Sequence, residues 1–140
     1  MGEGDLPPRP IADADSAPFW AGLASGRLML QFGPGSGAWQ FPPLECDRRT
    51  GGPLVWREVR AVGSVFSFIV QRQRVAPGFD DHLPYVIALI ELDDAPGVRL
   101  PVRMEDAVGR VRVGSRVVGE FQTPPDAGFP LVVFRLVDIR

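Results

Sequence analysis

The sequence predicts a mainly β protein in which a short N-terminal helix and a glycine-rich ribbon segment precede a five-stranded OB-fold barrel. Glycine occurs 16 times and proline 15 times in 140 residues, which favours short turns over long helices. Five segments with strand-like patterns follow Val55, and no helix longer than two turns fits between them. Bent strands of this number suit a small closed barrel of the OB type, with an SH3-like barrel or an open sandwich as alternatives.

The N-terminal part reads as an arm followed by one helix. Residues 1–14 are rich in proline, glycine and aspartate without periodicity, and we expect a flexible arm. Ser16 can cap a helix, Pro18 suits its first turn, and Gly26 can end it in the left-handed conformation. A strand over 27–32 follows, and we assign the helix and the ribbon segment together to residues 15–56.

The remaining residues, 57–140, are predicted to form the barrel. Pro101 cannot donate a ladder hydrogen bond, so its strand should lie at an edge or contain a bulge. Gly63 and Gly119 interrupt strand patterns and would permit sharp bends at barrel corners. The five predicted strands cover 61–74, 85–92, 97–104, 113–122 and 130–139.

Composition limits the class of partner and the compartment. The net charge is −2 and the sequence pI is about 5.3, so the surface has no general attraction for nucleic acid or anionic membranes. The single cysteine excludes an internal disulfide and fits a reducing compartment. The acidic N-terminus and the lack of a long apolar run predict neither a signal peptide nor a membrane span. We therefore expect a cytoplasmic protein.

Residues capable of catalysis are few and scattered. His82 follows two aspartates in a polar segment and indicates a solvated loop between strands. Cys46 has no local base that would activate it. The stretch "GPGSG" at 33–37 lacks the helix and the lysine of a phosphate-binding loop. No catalytic residue is predicted.

One strand offers a possible stacking surface for single-stranded nucleic acid. Phe66, Phe68, Arg72 and Arg74 would share a face of a regular strand, as base stacking and phosphate contacts require. Two phenylalanines at this spacing are more often core residues, and the net charge opposes the interpretation. The main prediction is no nucleic-acid partner and no membrane partner, with this module as an alternative.

The order of several motifs carries a family resemblance. The segments "PFW…L…GRL", "QFPP", "VFSF" and "LPYVIALIEL" occur in sequence. From about Pro18 to Phe134 the chain resembles small zinc-ribbon plus OB-fold proteins associated with acyl-CoA metabolism. The resemblance implies a non-catalytic accessory subunit in a hetero-oligomer with a thiolase-superfamily enzyme, which would be a thiolase, aldolase or acyltransferase of lipid or steroid metabolism. Such a subunit helps to form the coenzyme A channel and stabilises its partner.

The resemblance also implies a rubredoxin-like zinc ribbon that has degenerated. Two C-x-x-C pairs around "QFPP" would supply four thiolates to a structural zinc. The corresponding positions here hold Gly33, Ser36, Cys46 and Arg49. One thiolate cannot hold the ion, so we predict no metal. Loss of zinc forfeits about 10 kcal/mol in peptide models, which apolar packing or partner contacts must offset; a disordered loop is the alternative.

Contacts with ligand and partner are implied in the same way. Arginine suits phosphates, and the resemblance places coenzyme A against Arg72, Arg74, Phe79 and Tyr85. The aromatic residues Phe19, Trp20, Trp39 and Phe41 would anchor the partner protein. We expect no cofactor on this chain alone and an acyl-CoA thioester at the interface with the partner. A free acyl-CoA-binding protein and an independent enzyme are the further alternatives.

Overall fold

The computed structural model describes residues 9–74, 82–123 and 129–137, and it confirms a mainly β protein. No helix in these ranges is both long and apolar enough to cross a membrane. The elements are helix α1 (Ala17–Ala24) and strands β1 (Leu28–Gly33), β2 (Ala38–Gln40), β3 (Val55–Val59), β4 (Val62–Gln71), β5 (Tyr85–Leu92), β6 (Arg99–Glu105), β7 (Arg116–Gln122) and β8 (Leu131–Leu136).

The five C-terminal strands form a closed barrel in the order β4-β5-β6-β8-β7. β6 and β8 pair in parallel through Met104 and Phe134, whereas the other neighbours are antiparallel. β7 closes the barrel on β4, where Val62 pairs with Val118. The predicted OB-type barrel is confirmed. Pro101 lies outside the short stretch of β6 that pairs with β8, consistent with its missing donor.

The N-terminal strands form a separate three-stranded sheet in the order β2-β1-β3. β3 pairs along its whole length with β1, from Phe32 opposite Val55 to Leu28 opposite Val59. Val59 is buried, so the strand is fixed by packing as well as by hydrogen bonds. The ribbon sheet therefore extends past residue 56, where we placed its end, to the last residue of β3.

The helix forms where the sequence predicts it, but its N-terminus is fixed differently. Gly26 has a φ of 72° just beyond the helix, as the left-handed ending requires. The hydroxyl of Ser16 accepts from the amide of Asp13 at 3.1 Å instead of capping the helix. The Asp13 carboxylate in turn accepts from the Ser16 amide at 2.7 Å. The two side chains thus stabilise the turn that precedes the helix.

One apolar core runs from the helix and the ribbon sheet into the barrel. Its buried members come from α1, β1, β3 and the barrel strands, so the two sheets share a core. Burial of this surface is the main favourable contribution to folding. The largest fully buried side chains are Phe134, Leu28, Leu30, Ile90, Leu92, Met104, Val65, Val86 and Val117.

A β-bulge in β4 reverses the predicted facing of its phenylalanines. The pairing of β4 with β5 shifts register between Val65 and Ser67. Phe66 is 46% exposed, while Phe68 packs against the core. The prediction that the two rings share a face is therefore wrong, because the extra residue breaks the period-2 alternation.

Candidate functional site

A cleft of about 720 Å³ lies beside the beginning of β5 and the end of β6. This volume is within the usual range of small-molecule sites. Tyr85 and Met104 contribute buried walls. The last residue of β6, Glu105, and the following turn, with residues 106–108 and Arg110, complete the lining on that side. The antiparallel pairing of β5 with β6 positions these groups together, since Val86 lies opposite Met104.

The polar groups of the cleft carry both signs of charge. Arg103 Nη1 lies 3.4 Å from His82 Nδ1. Arg110 Nη1 donates to the carbonyl oxygen of Asp106 at 3.1 Å. Asp106 has a φ of 50°, which turns the chain sharply after β6. With Glu105 also in the lining, the cleft suits a ligand that combines anionic groups with hydrogen-bond donors.

Of the residues predicted to bind coenzyme A, Tyr85 lies in this cleft and is 7% exposed. Arg72 and Arg74 are exposed after the end of β4 and are not among the cleft residues described. Phe79 lies outside the described residues. Sequence reasoning missed Arg103 and Arg110, although pairing the two neighbouring strands as a hairpin would have brought Arg103 towards Tyr85.

The ribbon segment contains two turns of the same geometry. In residues 33–37 the amide of the last residue donates to the carbonyl of the first at 2.7 Å, and residues 47–51 form the same bond at 2.7 Å. Both turns end in a left-handed glycine, Gly37 with a φ of 71° and Gly51 with a φ of 73°. The two turns are therefore equivalent, position by position.

The carboxylate of Asp47 lies between these turns. Asp47 is 3% exposed, and its Oδ1 accepts from the Arg49 amide at 2.8 Å. The buried Oδ2 forms no hydrogen bond of good geometry among the described residues. It lies so close to Gly33 that a Cβ added there would collide with it. The Ser36 hydroxyl, followed by the Arg49 amide, holds the pKa of the Asp47 carboxyl below its usual value.

Two buried glutamines fix the chain between the turns. Gln31 donates from Nε2 to the carbonyl of Leu44 at 2.8 Å and accepts from the amide of the same residue at 2.9 Å. Gln40 bonds the Cys46 carbonyl at 3.1 Å and the Arg48 amide at 3.0 Å. These four hydrogen bonds support an ordered ribbon, and the disordered loop stays the alternative. Sequence reasoning missed both glutamines, whose signal was a polar residue within each strand.

The four positions predicted to be former zinc ligands differ in burial. Gly33 is buried and Ser36 is half-buried, whereas Cys46 and Arg49 are exposed. No group of three or more potential ligands suited to a metal occurs in the part of the chain that the structure describes. A glycine, a hydroxyl and one carboxylate are not the nitrogen and sulfur donors of a structural zinc, so the residues near Asp47 do not fit the ion.

The aromatic residues near the helix are mainly internal. Phe19 is 8% exposed, and its ring centroid lies 5.2 Å from Trp20 and 5.7 Å from Phe41. Phe19 is a core residue and not an exposed anchor, contrary to our prediction, because the ribbon covers it. Trp20, Trp39 and Phe41 are partly buried against the core. A partner role for these three stays a prediction.

The proposed stacking surface for nucleic acid is not formed. Phe68 faces the core, as described above, and the Arg99 guanidinium lies 3.8 Å from the ring centroid of Phe66. The cation therefore covers one face of the exposed ring. This arrangement gives no support to a single-strand binding module.

The fold and the cleft define a class: a small OB-fold protein whose described N-terminal part contains one short helix and a three-stranded ribbon sheet. Residues 56–122 match the profile of the ChsH2 C-terminal OB-fold domain. This segment contains strands β4, β5, β6 and β7, so the barrel of this chain is similar to that domain, in agreement with the predicted OB-fold.

Three relatives extend the comparison. The chain is 32% identical over 128 residues to the 3-oxo-4,17-pregnadiene-20-carboxyl-CoA hydratase alpha subunit of Mycobacterium tuberculosis (strain ATCC 25618 / H37Rv), covering 84% of this chain but only 37% of that protein. A chain of the Ltp2-ChsH2(DUF35) aldolase superposes with a TM-score of 0.78 at 28% identity, covering 91% of this chain and 98% of that one. A DUF35 protein of unknown function from Sulfolobus solfataricus, at 15% identity, TM-score 0.63 and coverage of 90% and 87%, shares the fold.

Proposed function

We propose that this protein is a non-catalytic accessory subunit of an acyl-CoA enzyme and that its partner is a thiolase-superfamily protein. The similarity to the Ltp2-ChsH2(DUF35) aldolase carries the proposal, because it spans nearly the full length of both chains. The relative from Mycobacterium tuberculosis is a subunit of an enzyme named for a CoA thioester, which supports the substrate class. The partner would be a thiolase, an aldolase or an acyltransferase, and the complex a hetero-oligomer.

The chemistry of the described residues suits a supporting role. His82 lies in the barrel cleft, whereas Cys46 is exposed on the ribbon, one residue before the second turn. Nucleophilic catalysis needs a nucleophile within hydrogen-bond reach of its base. Cys46 and His82 belong to different parts of the described chain and do not form such a pair, and we assign the reaction to the partner.

The cleft is proposed to receive the phosphate-bearing end of coenzyme A where the partner meets the barrel. Guanidinium groups recognise phosphates through paired N–H donors, and Arg103 and Arg110 supply such groups to the cleft wall. Glu105 could accept from the amino group of the adenine. Arg72, Arg74 and Phe79 stay candidates for contacts at the same interface, and the partner would complete the channel.

Copurification tests the accessory role. The tagged full-length chain is purified from cells of its source organism, and the complex is examined by mass spectrometry, sizing and assay of acyl-CoA turnover. We expect a stoichiometric thiolase-superfamily partner and turnover only by the complex. A chain that stays without this partner, or that turns over acyl-CoA alone, contradicts the proposal.

Binding of coenzyme A to the purified complex tests the cleft. Removal of one charge-assisted phosphate contact should weaken binding by about tenfold. We therefore expect that loss for Arg103→Gln and Arg110→Gln in calorimetric titration. Arg112→Gln is the matched control, because Arg112 is exposed in the same region but does not line the described cleft. If all three variants bind coenzyme A with equal affinity, this cleft is not the coenzyme A site. The accessory role is tested separately by copurification.

A further inference from the structure

The two equivalent turns of the ribbon meet at the buried carboxylate of Asp47. Their first and fourth positions are Gly33 and Ser36 in one turn and Asp47 and Thr50 in the other, and glycine follows each fourth position. This is the spacing of a C-x-x-C pair. The second pair of positions, 47 and 50, lies one residue after the pair 46 and 49 that the family resemblance implies. The side chain of Cys46, at the first of those positions, is exposed.

We infer that positions 33, 36, 47 and 50 are the ligand positions of this ribbon, and that the Asp47 carboxylate fills the space of a metal centre and joins the two turns without an ion. The absence of a side chain at Gly33 makes the space, since any Cβ there would collide with Asp47 Oδ2 and lie 2.7 Å from Ser36 Oγ. Oδ1 is retained by the Arg49 amide. A buried carboxylate is costly unless it is hydrogen-bonded, so its position between the turns requires a local structural role.

If the inference is correct, the loss of stability caused by a methyl group at position 33 depends on which residue occupies position 47. Gly33→Ala should lower the melting temperature by several degrees in the natural sequence and by much less in an Asp47→Ala background. Gly35→Ala is the matched control in the same turn, because the nearest atom to its added Cβ would be Thr50 Oγ1 at 4.0 Å. The four melting temperatures of this cycle are measured on the full-length chain. An equal loss from Gly33→Ala in both backgrounds overturns the inference.

Cobalt binding tests the ligand positions independently. One variant carries Gly33→Cys, Ser36→Cys, Asp47→Cys and Thr50→Cys together with C46S, and a second carries G33C, S36C and R49C with the natural Cys46. Each has four thiols, so the absorption of tetrahedral thiolate-bound Co²⁺ compares their geometry directly. We expect one cobalt per chain in the first variant and at least tenfold weaker binding in the second. Equal or tighter binding by the second variant, or no binding by the first, overturns the inference.

Discussion

Gly63 shows how one residue can limit the approach of two strands. It pairs with Leu92 in the antiparallel ladder of β4 and β5. A Cβ at position 63 would collide with the Glu91 carbonyl oxygen and lie 3.0 Å from Ile90 Cγ2. Because the first obstacle is backbone, the strand cannot relax by a side-chain rotation. The glycine that we interpreted as a site of bending is therefore also a site of close packing.

Gly63→Ala should lower the free energy of unfolding by about 1–3 kcal/mol, the usual cost of overpacking. Gly35→Ala is the control, since the nearest atom to its added Cβ, Thr50 Oγ1, would lie 4.0 Å away. Urea unfolding followed by tryptophan fluorescence measures both. Similar stabilities for the two variants would show that β4 and β5 separate without cost.

Phe19 permits a test between a core residue and a partner anchor. Its ring is buried in the isolated chain, so Phe19→Ala should lower the free energy of unfolding by about 3–5 kcal/mol without any partner present. Phe66→Ala should cost far less, because Phe66 is 46% exposed. Denaturant titration of the two purified variants gives the comparison. If the Phe19 variant is as stable as the natural protein, Phe19 does not contribute to the core, and the partner interface is again its predicted role.

An ion pair lies at the junction between the ribbon sheet and the barrel, in addition to the shared core. Arg60, between β3 and β4, donates its amide to Asp94 Oδ2 at 2.9 Å and its Nη2 to Oδ1 at 2.7 Å. Its Nε also donates to Oδ2 at 3.0 Å. These contacts from Arg60 lower the pKa of the Asp94 carboxyl to about 2. The turn between β5 and β6 is thereby joined to the connection between the two sheets.

Because the pKa of the Asp94 carboxyl is lowered in the folded protein, the stability of the protein should depend on pH. A carboxyl with a lowered folded-state pKa stabilises the protein above its unfolded value of 3.8, and this contribution is lost as pH falls towards 2. Asp94→Asn should therefore destabilise at neutral pH, and its difference from the natural protein should shrink between about pH 4 and pH 2. Urea unfolding at several pH values measures it. In an Arg60→Gln background the same substitution should have little effect; an undiminished effect would exclude the ion pair as its cause.

The ends of strands with a clear apolar run could be predicted closely. Features of strands that depend on tertiary contacts could not. β5 begins and ends at the predicted residues 85 and 92, because its apolar run is bounded by polar turns. The predicted face of Phe66 was wrong, because the position of the bulge depends on the register between β4 and β5. The place of β3 in the ribbon sheet depends likewise on its pairing with β1. Register is a property of two strands, and neither strand encodes it alone.

The candidate site could be predicted less well than the barrel. Tyr85, a predicted coenzyme A contact, lies in the cleft at the beginning of a strand, and its binding role stays a prediction. Arg103 and Arg110 reach the cleft only when β6 folds back on β5 and the following turn closes over them. Asp47 was missed because burial of a carboxylate depends on how two distant turns meet. The composition of the chain does not predict the contact between these two turns.

We predict that the fold as a whole is stable without a metal centre, and this can be tested on the natural chain. A shared core connects the ribbon sheet with the barrel, and the buried side chains of Gln31 and Gln40 fix the intervening chain. A zinc ribbon depends on its ion for folding, whereas apolar packing and hydrogen bonds do not. We therefore expect an excess of chelator to leave the melting temperature and the circular dichroism spectrum unchanged.

Added zinc should have equally little effect on the natural chain. A ligand that binds only the folded state raises the melting temperature, so a rise with zinc would reveal a site that the described donor groups do not provide. The four-cysteine variant with the substitution at position 47 is the positive control, because it should gain stability with zinc and lose it with chelator. Elemental analysis of the purified natural chain should give far less than one zinc per molecule. A stoichiometric ion, or a melting temperature that falls with chelator, would mean that the ribbon depends on metal in spite of its side chains.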